Sequence, residues 1–427
     1  MLTNKPKGTN DFLPDEVGRW QALEDLLREV SRLYGYREIR TPIFEHTELF
    51  QRGVGETTDI VEKEMYTFTS KGEKSYSLRP EGTAPTVRAY VENKLYAQPQ
   101  PTTKLYYIGP MFRHDRPQAG RYRQFHQYGI EALGSDDPAL DAEVIAMAMD
   151  IYRRLGLKDL TVELNSVGCP NCRLQHRQKL QEFLAPKKEQ LCKTCQGRYE
   201  RNPMRILDCK DSNCQKLTEG APTIDQMLCP ECQSHFTAVQ KHLHALEVPY
   251  NLNSKLVRGL DYYVKTAFEI VATGIGAQGS VGGGGRYDGL IEQIGGPAMP
   301  GIGFALGLER ILLAMKEQGL DLVADNPVEV FIATMGEDAQ LMGSKLSQQL
   351  RQEGFAVERD YGNRSFKAQL KAADRYQVRY TLIIGEDELK NNMVQVKDMA
   401  TGKQEPVALA EVQVYLNRNI RGREINE

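Results

Sequence analysis

No apolar run in these 427 residues approaches the roughly 18 that a membrane-spanning helix needs. The opening residues, MLTNKPKGTNDFLPDE, lack the apolar stretch of a signal peptide and the Arg/Ser richness of a transit segment, so the cytoplasm is the expected compartment. An overall positive charge is missing too. The 54 Lys and Arg stand against 57 Asp and Glu, a net charge of −3, so any contact with nucleic acid must come from local basic patches. The seven histidines form no HExxH pair, and there is no GxSxG elbow, no full Walker A motif and no GxGxxG opening a βαβ unit. Each absence weakens a common reading: zinc protease, serine hydrolase, P-loop NTPase, dinucleotide enzyme. Cysteine is absent outside residues 169–232, where all eight fall. In a reducing compartment, clustered pairs suggest metal before disulfide.

What is present reads as a globular chain of about two to four domains. Val17, Trp20, Leu23, Leu27, Val30 and Leu33 recur at three- and four-residue spacing, predicting a helix over Asp15–Tyr34. Strand-like runs with turns follow (YREIRTPIF, EMYTFTS, SYSLRP, KLYYIGPMFR, RQFHQYGIEAL), interrupted by helices over Ala84–Lys94 and Ala139–Leu155. Strands so close in sequence favour an antiparallel sheet, so the fold class is α+β. Residues 1–168 form a first strand-rich part, and 169–247 a mainly helical insertion holding every cysteine. Strand character resumes over 248–323, with one strand expected from Leu256 to Ile270 and a helix after Gly303. In LVRGLDYYVKTAFEI, Tyr262, Val264, Thr266, Phe268 and Ile270 alternate with Asp261, Tyr263, Lys265, Ala267 and Glu269. The second set makes a polar face, on which Lys265 and Glu269 read as an ion pair. From 324 to 427, alternating strands and helices predict a mixed α/β module with a small, mainly parallel sheet.

Four constellations carry chemistry. Arg113, Arg116, Arg121 and Arg123 crowd one hairpin loop against a single acid, Asp115. They are interleaved with Phe112, Tyr122 and Phe125. Guanidiniums fork onto phosphate oxygens and flat rings stack bases, although a solvated charged hairpin is the plainer alternative. In GIGFALGLERILLAM, Arg310 reads as lying over Gly303, Gly307 and Ala314 on one helix face. In SLRPEGTAP, Glu81 and Thr83 stand at a strand end before a helix, where a carboxylate could hold an ammonium group or simply cap the helix. Gln127 and Glu131 share a strand face after the arginine loop.

Together these residues resemble the class II aminoacyl-tRNA synthetases, and within them the histidyl-tRNA synthetase family. FRHDRP followed by RYRQFHQ is similar to the class's motif 2, GIGFALGLERIL to motif 3, and YREIRTPIF with Pro42 to motif 1, which lies at a dimer interface in that class. LVRGLDYY and RPEGT point to the histidine member. The resemblance implies a catalytic domain over 1–168 and 248–323, an antiparallel sheet flanked by helices, and an anticodon-binding domain over 324–427. It implies ATP-dependent histidyl-adenylate formation followed by acyl transfer to the tRNA 3′ end. Arg113 and Arg258 would be the catalytic cations, Arg258 replacing a metal ion used by relatives at the α-phosphate. Glu81, Thr83, Arg113, Gln127, Glu131, Arg258, Tyr262 and Tyr263 would hold histidine. Arg113, Phe125 and Arg310 would hold ATP, with Mg2+ on its outer phosphates. Arg116 and Gln118 would approach the tRNA acceptor end.

The implied partners are tRNA(His), histidine, ATP and a second copy of the chain, with no membrane. In the C-terminal module Arg359, Arg364, Lys367, Lys371 and Arg375 are candidate tRNA contacts, each equally readable as a solvated helix face. Cys169/Cys172, Cys192/Cys195 and Cys229/Cys232 have zinc-knuckle spacing and Cys209/Cys214 a looser one, so the eight could ligate two structural Zn2+ ions in pairings the spacing leaves open. The main rival is a non-catalytic relative, the ATP phosphoribosyltransferase regulatory subunit of histidine biosynthesis. A zinc-bearing nucleic-acid-binding protein would explain the cysteines but not Arg258, Tyr263, Glu131 and Arg310 together.

Overall fold

The structure, a computed structural model, describes residues 3–55, 58–272, 279–322 and 328–422. The chain falls into two compact units, 1–323 and 324–427. The boundary expected between 323 and 324 lies outside the described residues.

The strands of the first unit are β1 (Arg37–Glu38), β2 (Phe44–His46), β3 (Thr67–Thr69), β4 (Ser75–Leu78), β5 (Thr103–Phe112), β6 (Gln124–Leu133), β7 (Leu160–Ser166), β8 (Tyr250–Leu252), β9 (Val264–Ala272), β10 (Ser280–Arg286) and β11 (Gly301–Gly307). Among the described residues, eight of them make one sheet in the order β1-β5-β6-β11-β10-β9-β7-β8. Pairing is antiparallel except at the edges, where β1 joins β5 and β8 joins β7 in parallel. β2, β4 and β3 form a separate antiparallel sheet.

Alternation sorts the two faces of the large sheet. Tyr128, Ile130 and Ala132 of β6, Ile302, Phe304 and Leu306 of β11, and Phe268 and Ile270 of β9 enter one core. Helix Pro14–Leu33 covers that face with Trp20, Leu23, Leu27 and Val30, and helix Pro138–Arg154 covers it with Val144, Ile145, Ala148 and Ile151. Both helices begin with Pro, where the missing N–H costs nothing. The Asp137 carboxylate caps the second by accepting the Ala139 N–H at 2.9 Å. Each fully buried aliphatic or aromatic side chain contributes about 1.5–3 kcal/mol to holding these layers together.

Two local expectations are corrected. The strand expected from Leu256 begins only at Val264, and 256–263 form turns. The pairing register with β10 slips between Gly285 and Arg286, and Lys265 has φ +51°, so the alternation is broken there. Tyr262 and Tyr263 therefore stand side by side, ring centroids 4.7 Å apart, instead of on opposite faces. Lys265 and Glu269 do not pair. Lys265 reaches Glu231 and Asp288, and Glu269 meets Arg258. Second, GIGFALG is the strand β11, and the helix starts at Leu308, so Gly303 and Gly307 do not share a helix face with Arg310. A short apolar run buried on both sides has no period that separates strand from helix.

The insertion is helical, with Pro170–Leu184, Lys193–Arg201, Ser212–Leu217 and Pro230–Ala245 as its α-helices. Its last helix packs on Pro138–Arg154 and places Phe236, Val239 and Leu243 in the main core.

In the second unit, β12 (Val330–Thr334), β13 (Val357–Arg359), β14 (Tyr380–Ile384), β15 (Met393–Asp398) and β16 (Gln404–Ala408) form a sheet in the order β13-β12-β14-β15-β16. β12 runs parallel to β13 and β14, but the β15–β16 hairpin adds antiparallel pairs, so the sheet is mixed and not mainly parallel. Helices Glu337–Gln352 and Val412–Arg421 cover one face and helix Phe366–Arg375 the other. Lys367, Lys371 and Arg375 are exposed at four-residue steps on that last helix, while Arg364 pairs with Asp360.

Candidate active site

The face of the large sheet turned away from its helical core is floored by small residues. Gly109 of β5 and Gly129 of β6, Gly303, Ala305 and Gly307 of β11, and Gly283 and Gly285 of β10 lie on it in register. The crowding is physical. A Cβ on Gly129 would stand 2.3 Å from Tyr107, and one on Gly283 would stand 2.8 Å from the Arg258 guanidinium.

Glu131 stands at one end of this floor, directly across from Gly303, and is 1% exposed. The Tyr107 hydroxyl donates to its Oε1 at 3.3 Å, and the Tyr287 hydroxyl donates to Oε2. Burial pushes the Glu131 carboxyl up to about 8, against the pull of hydrogen bonds from Tyr287, Thr83 and Tyr107. Tyr107 and Tyr287 went unread in the sequence. Tyr107 is flanked by Gly82 and Gly129, neither of which has room for a Cβ. Tyr287 follows Arg286, a fully buried cation tied to Asp141, which is equally buried. The Asp141 carboxylate also accepts the Thr266 hydroxyl at 2.5 Å. This buried, hydrogen-bonded pair joins helix Pro138–Arg154 to β9 and β10 and fixes the chain on which Tyr287 stands.

Glu81 is also buried, and its two oxygens accept the N–H groups of Thr83 and Ala84 at 2.8 Å each. It thus caps helix Thr83–Glu92, as the plainer of its two readings holds. Burial raises its affinity for a proton, and the two N–H bonds oppose this. Gln127 is 8% exposed, and its Oε1 is buried without a hydrogen-bond partner. Such an acceptor suits a ligand donor. Tyr262 and Tyr263 pack beside Tyr287 in the same cluster.

Cations line the remainder. The Arg113 Nε donates to the Pro80 carbonyl at 2.8 Å, and its guanidinium lies 5.2 Å from the centre of the Phe125 ring. Burial lowers its proton affinity, as it does that of Arg310. Arg310 donates to the Ser280 carbonyl at 2.5 Å. Arg258 is one-fifth exposed, 3.4 Å from Glu269 and 5.9 Å from the Tyr263 ring centre. Arg116 and Gln118 lie exposed in the β5–β6 loop, which turns tightly through Gln118–Arg121. Gly120 at the tip has φ +68° and approaches Arg310 and Leu313, so the arginine loop touches the helix after β11. Arg121 pairs with Asp115 at 2.6 Å.

A cleft of about 340 Å³ opens beside this site, between the insertion and the Arg258 turn. Arg173, Arg177, Arg201, Arg205 and Arg258 line it with Asp261 and Tyr263, while Glu81 and Glu131 do not reach it.

The eight cysteines gather into two groups, Cys169/Cys172/Cys229/Cys232 and Cys192/Cys195/Cys209/Cys214, each with all Sγ atoms within 4.8 Å of one another. Cys169, Cys192 and Cys229 each occupy the N-cap of a helix, with the second cysteine of the pair in its first turn. Against the effect of burial, hydrogen bonds at the helix N-terminus hold the Cys169 and Cys192 thiols below their ordinary value, whereas burial pushes the Cys172, Cys195 and Cys232 thiols up. The N–H groups of Cys229 and Cys192 donate to the Sγ atoms of Cys172 and Cys214 at 3.1 and 3.2 Å. A tetrahedral ion with metal–sulfur bonds of about 2.3 Å separates its sulfurs by about 3.8 Å. The 3.5 Å of Cys169–Cys172 and 3.9 Å of Cys192–Cys209 match that size. A cluster of several irons would spread the thiolates farther apart. Both groups fit a single four-coordinate metal ion.

The Histidyl-tRNA synthetase family matches residues 8–311, and the Anticodon binding domain family matches 329–419. The histidine–tRNA ligase of Desulforamulus reducens is 61% identical over 97% of this chain and 99% of its own. The crystal structure of the apo histidyl-tRNA synthetase of S. aureus superposes with a TM-score of 0.83 at 42% identity, covering 97% of this chain and 99% of that one. A Bacillus halodurans structure described as an ATP phosphoribosyltransferase regulatory subunit/histidyl-tRNA synthetase shares the fold, with a TM-score of 0.64 over 90% of this chain and 98% of that one, but only 22% identity. With full-length identity on the side of the ligases, the chain belongs to the histidyl-tRNA synthetase family.

Proposed function

We propose that this chain ligates L-histidine to tRNA(His) in two steps on the glycine floor. A histidine carboxylate oxygen attacks the α-phosphorus of ATP, the bond to the bridging oxygen breaks, and pyrophosphate leaves. A hydroxyl of the tRNA 3′-terminal adenosine then attacks the acyl carbon, and AMP leaves. The observation that carries the reading is Glu131, a buried carboxyl clasped by Tyr107 and Tyr287 across from Gly303. Imidazole has two ring nitrogens, and a buried polar pocket rejects amino acids that leave its groups unpaired. Glu131 and Tyr263 serve the ring. The open acceptor of Gln127, with Glu81 and Thr83, receives the α-ammonium group, and Tyr262 closes the pocket.

Adenine lies between Phe125 and Arg310, and Arg113 bridges the α-phosphate and the amino-acid carboxylate. Arg258 supplies positive charge at the α-phosphate. Transfer at phosphorus depends on such positioning and charge neutralisation more than on covalent help from the enzyme. Mg2+ accompanies the outer phosphates. Arg116 and Gln118 meet the acceptor end of the tRNA, and the basic face of helix Phe366–Arg375 meets its anticodon region. Each four-cysteine group holds one structural Zn2+.

Histidine-dependent ATP–pyrophosphate exchange tests the reading. Exchange with histidine and with no other amino acid is expected, and no exchange at all would favour the regulatory-subunit alternative. Two copies pair through the region of Pro42. The exposed Ile43, Phe44 and Phe68 on the β2-β4-β3 side, 45, 52 and 44% accessible, support that. Sedimentation at the mass of one chain would refute it.

A further inference from the structure

The second cysteine group contains within it a segment that touches the catalytic body. Between Cys195 and Cys209 the chain sends Arg198 to Asp59 at 2.8 Å and Arg201 to Glu62. Asn202 donates to the Asp261 carboxylate at 2.9 Å. Arg205 Nη1 donates to the carbonyl of Arg258 at 2.8 Å. Gly259 leaves room for that last contact, since a Cβ there would stand 3.3 Å from Arg205 Nη1.

Within the insertion the segment is tied by hydrogen bonds from Gln181 to the Tyr199 carbonyl at 2.9 Å and from Gln196 to the Leu191 carbonyl at 3.0 Å. The apolar cluster around it is small, with Leu180, Leu184, Leu191, Ile206 and Leu207 joined by Phe183, Tyr199, Leu217, Ala221 and the cysteines themselves. A core of that size needs a staple. Four thiolates drawn from two stretches, Cys192/Cys195 and Cys209/Cys214, close both ends of the segment onto one point.

We propose that the metal ion of this second group is a clasp for the catalytic turn. It fixes residues 196–208, and Asn202 and Arg205 then hold the Arg258–Asp261 turn in place. The inference rests on the synthetase reading above, since it concerns the residue that faces the α-phosphate. The metal supplies no catalytic group, and Arg205 is a positioning residue acting through the backbone of Arg258. A reacting group displaced by about 1 Å can lose about 10²-fold in rate, so clasp and chemistry are coupled although no ligand touches the metal.

The test uses the full chain and elemental analysis for zinc beside pyrophosphate exchange. The unaltered protein is expected to carry two zinc ions. The Cys209→Ser/Cys214→Ser variant is expected to carry one and to lose about tenfold or more in exchange kcat. Because that variant also removes a staple of the insertion, Arg205→Met provides the second arm. It is expected to keep both zinc ions and its melting temperature, to lose a similar factor in kcat with little change in the KM for ATP, and to regain most of it as Arg205→Lys. Unaltered exchange in either variant overturns the clasp. A protein that activates histidine but holds no zinc overturns the clasp alone. One that holds two zinc ions but activates no amino acid overturns the synthetase reading and the clasp with it.

Discussion

Glu131→Ala is expected to raise the KM for histidine by about 10²-fold or more and to leave the KM for ATP nearly unchanged. A hydrogen bond to a charged group contributes about 1.5–3 kcal/mol, and unpaired buried groups cost about 1–3 kcal/mol more. Both losses occur here, because the variant removes the imidazole's partner and strands the Tyr107 and Tyr287 hydroxyls that now bond to it. An equal rise for ATP would place Glu131 outside the histidine pocket.

The pH profile gives a finer check. In the empty pocket burial holds Glu131 protonated up to about 8, whereas an unfolded glutamate ionises near 4.3. The sign follows: the folded chain binds the extra proton between those values, so this group favours folding at low pH, and the contribution declines as pH rises toward about 8. Free imidazole loses its proton near 6.5. From about 6.5 to about 8, carboxyl and imidazole therefore bring one proton in total, the number their hydrogen-bonded pair needs. The KM for histidine is expected to be flat across that window and to rise on either side. Glu131→Gln should abolish the alkaline rise. A profile identical in the variant would refute the pairing.

Arg258→Met is expected to slow histidyl-adenylate formation by about 10²–10³-fold, the usual loss when one preorganised donor to a developing anion is removed. The KM for histidine should change far less. Arg258 lies 5.9 Å from the Tyr263 ring centre, and Glu269 and Gly283 of β10 confine its guanidinium. Because methionine keeps the length of the stem, packing on Tyr263 survives while the charge is lost. Single-turnover measurement of adenylate isolates the step. A rate within about threefold of the unaltered chain would show that the charge at the α-phosphate comes from elsewhere.

The sequence was most legible where a signal is local. The β5–β6 hairpin, with its paired ten-residue strands and its arginines at the loop, needs only alternation and a turn. The helices at Pro14 and Pro138 announce themselves by proline, acid and spacing. Legibility failed where several strands had to be known at once. Gly303 and Gly307 were read against Arg310 on a helix, when their meaning is lateral, across to Glu131 and Gln127. Tyr107 and Tyr287 resemble any buried tyrosine until Glu131 stands beside them. The tandem tyrosines 262 and 263 were assigned to opposite faces because the slip at Gly285–Arg286 and the left-handed Lys265 have no signature in a single strand. The cysteine pairing was open for the same reason, since spacing names ligands but not partners.

The glycine floor has a further meaning for how this chain can change over time. Its wall is main chain, contributed by four neighbouring strands whose residues lie on both sides of the insertion. A wall of peptide groups cannot be re-lettered residue by residue. At Gly129, Gly283, Gly285 and Gly303 a substitution adds atoms where a ring, a carboxylate or another backbone already stands. The rim is made of side chains instead, and a substitution there changes charge or shape without displacing main chain. The floor admits few alternatives, because the atoms an added side chain would meet are themselves part of the pocket.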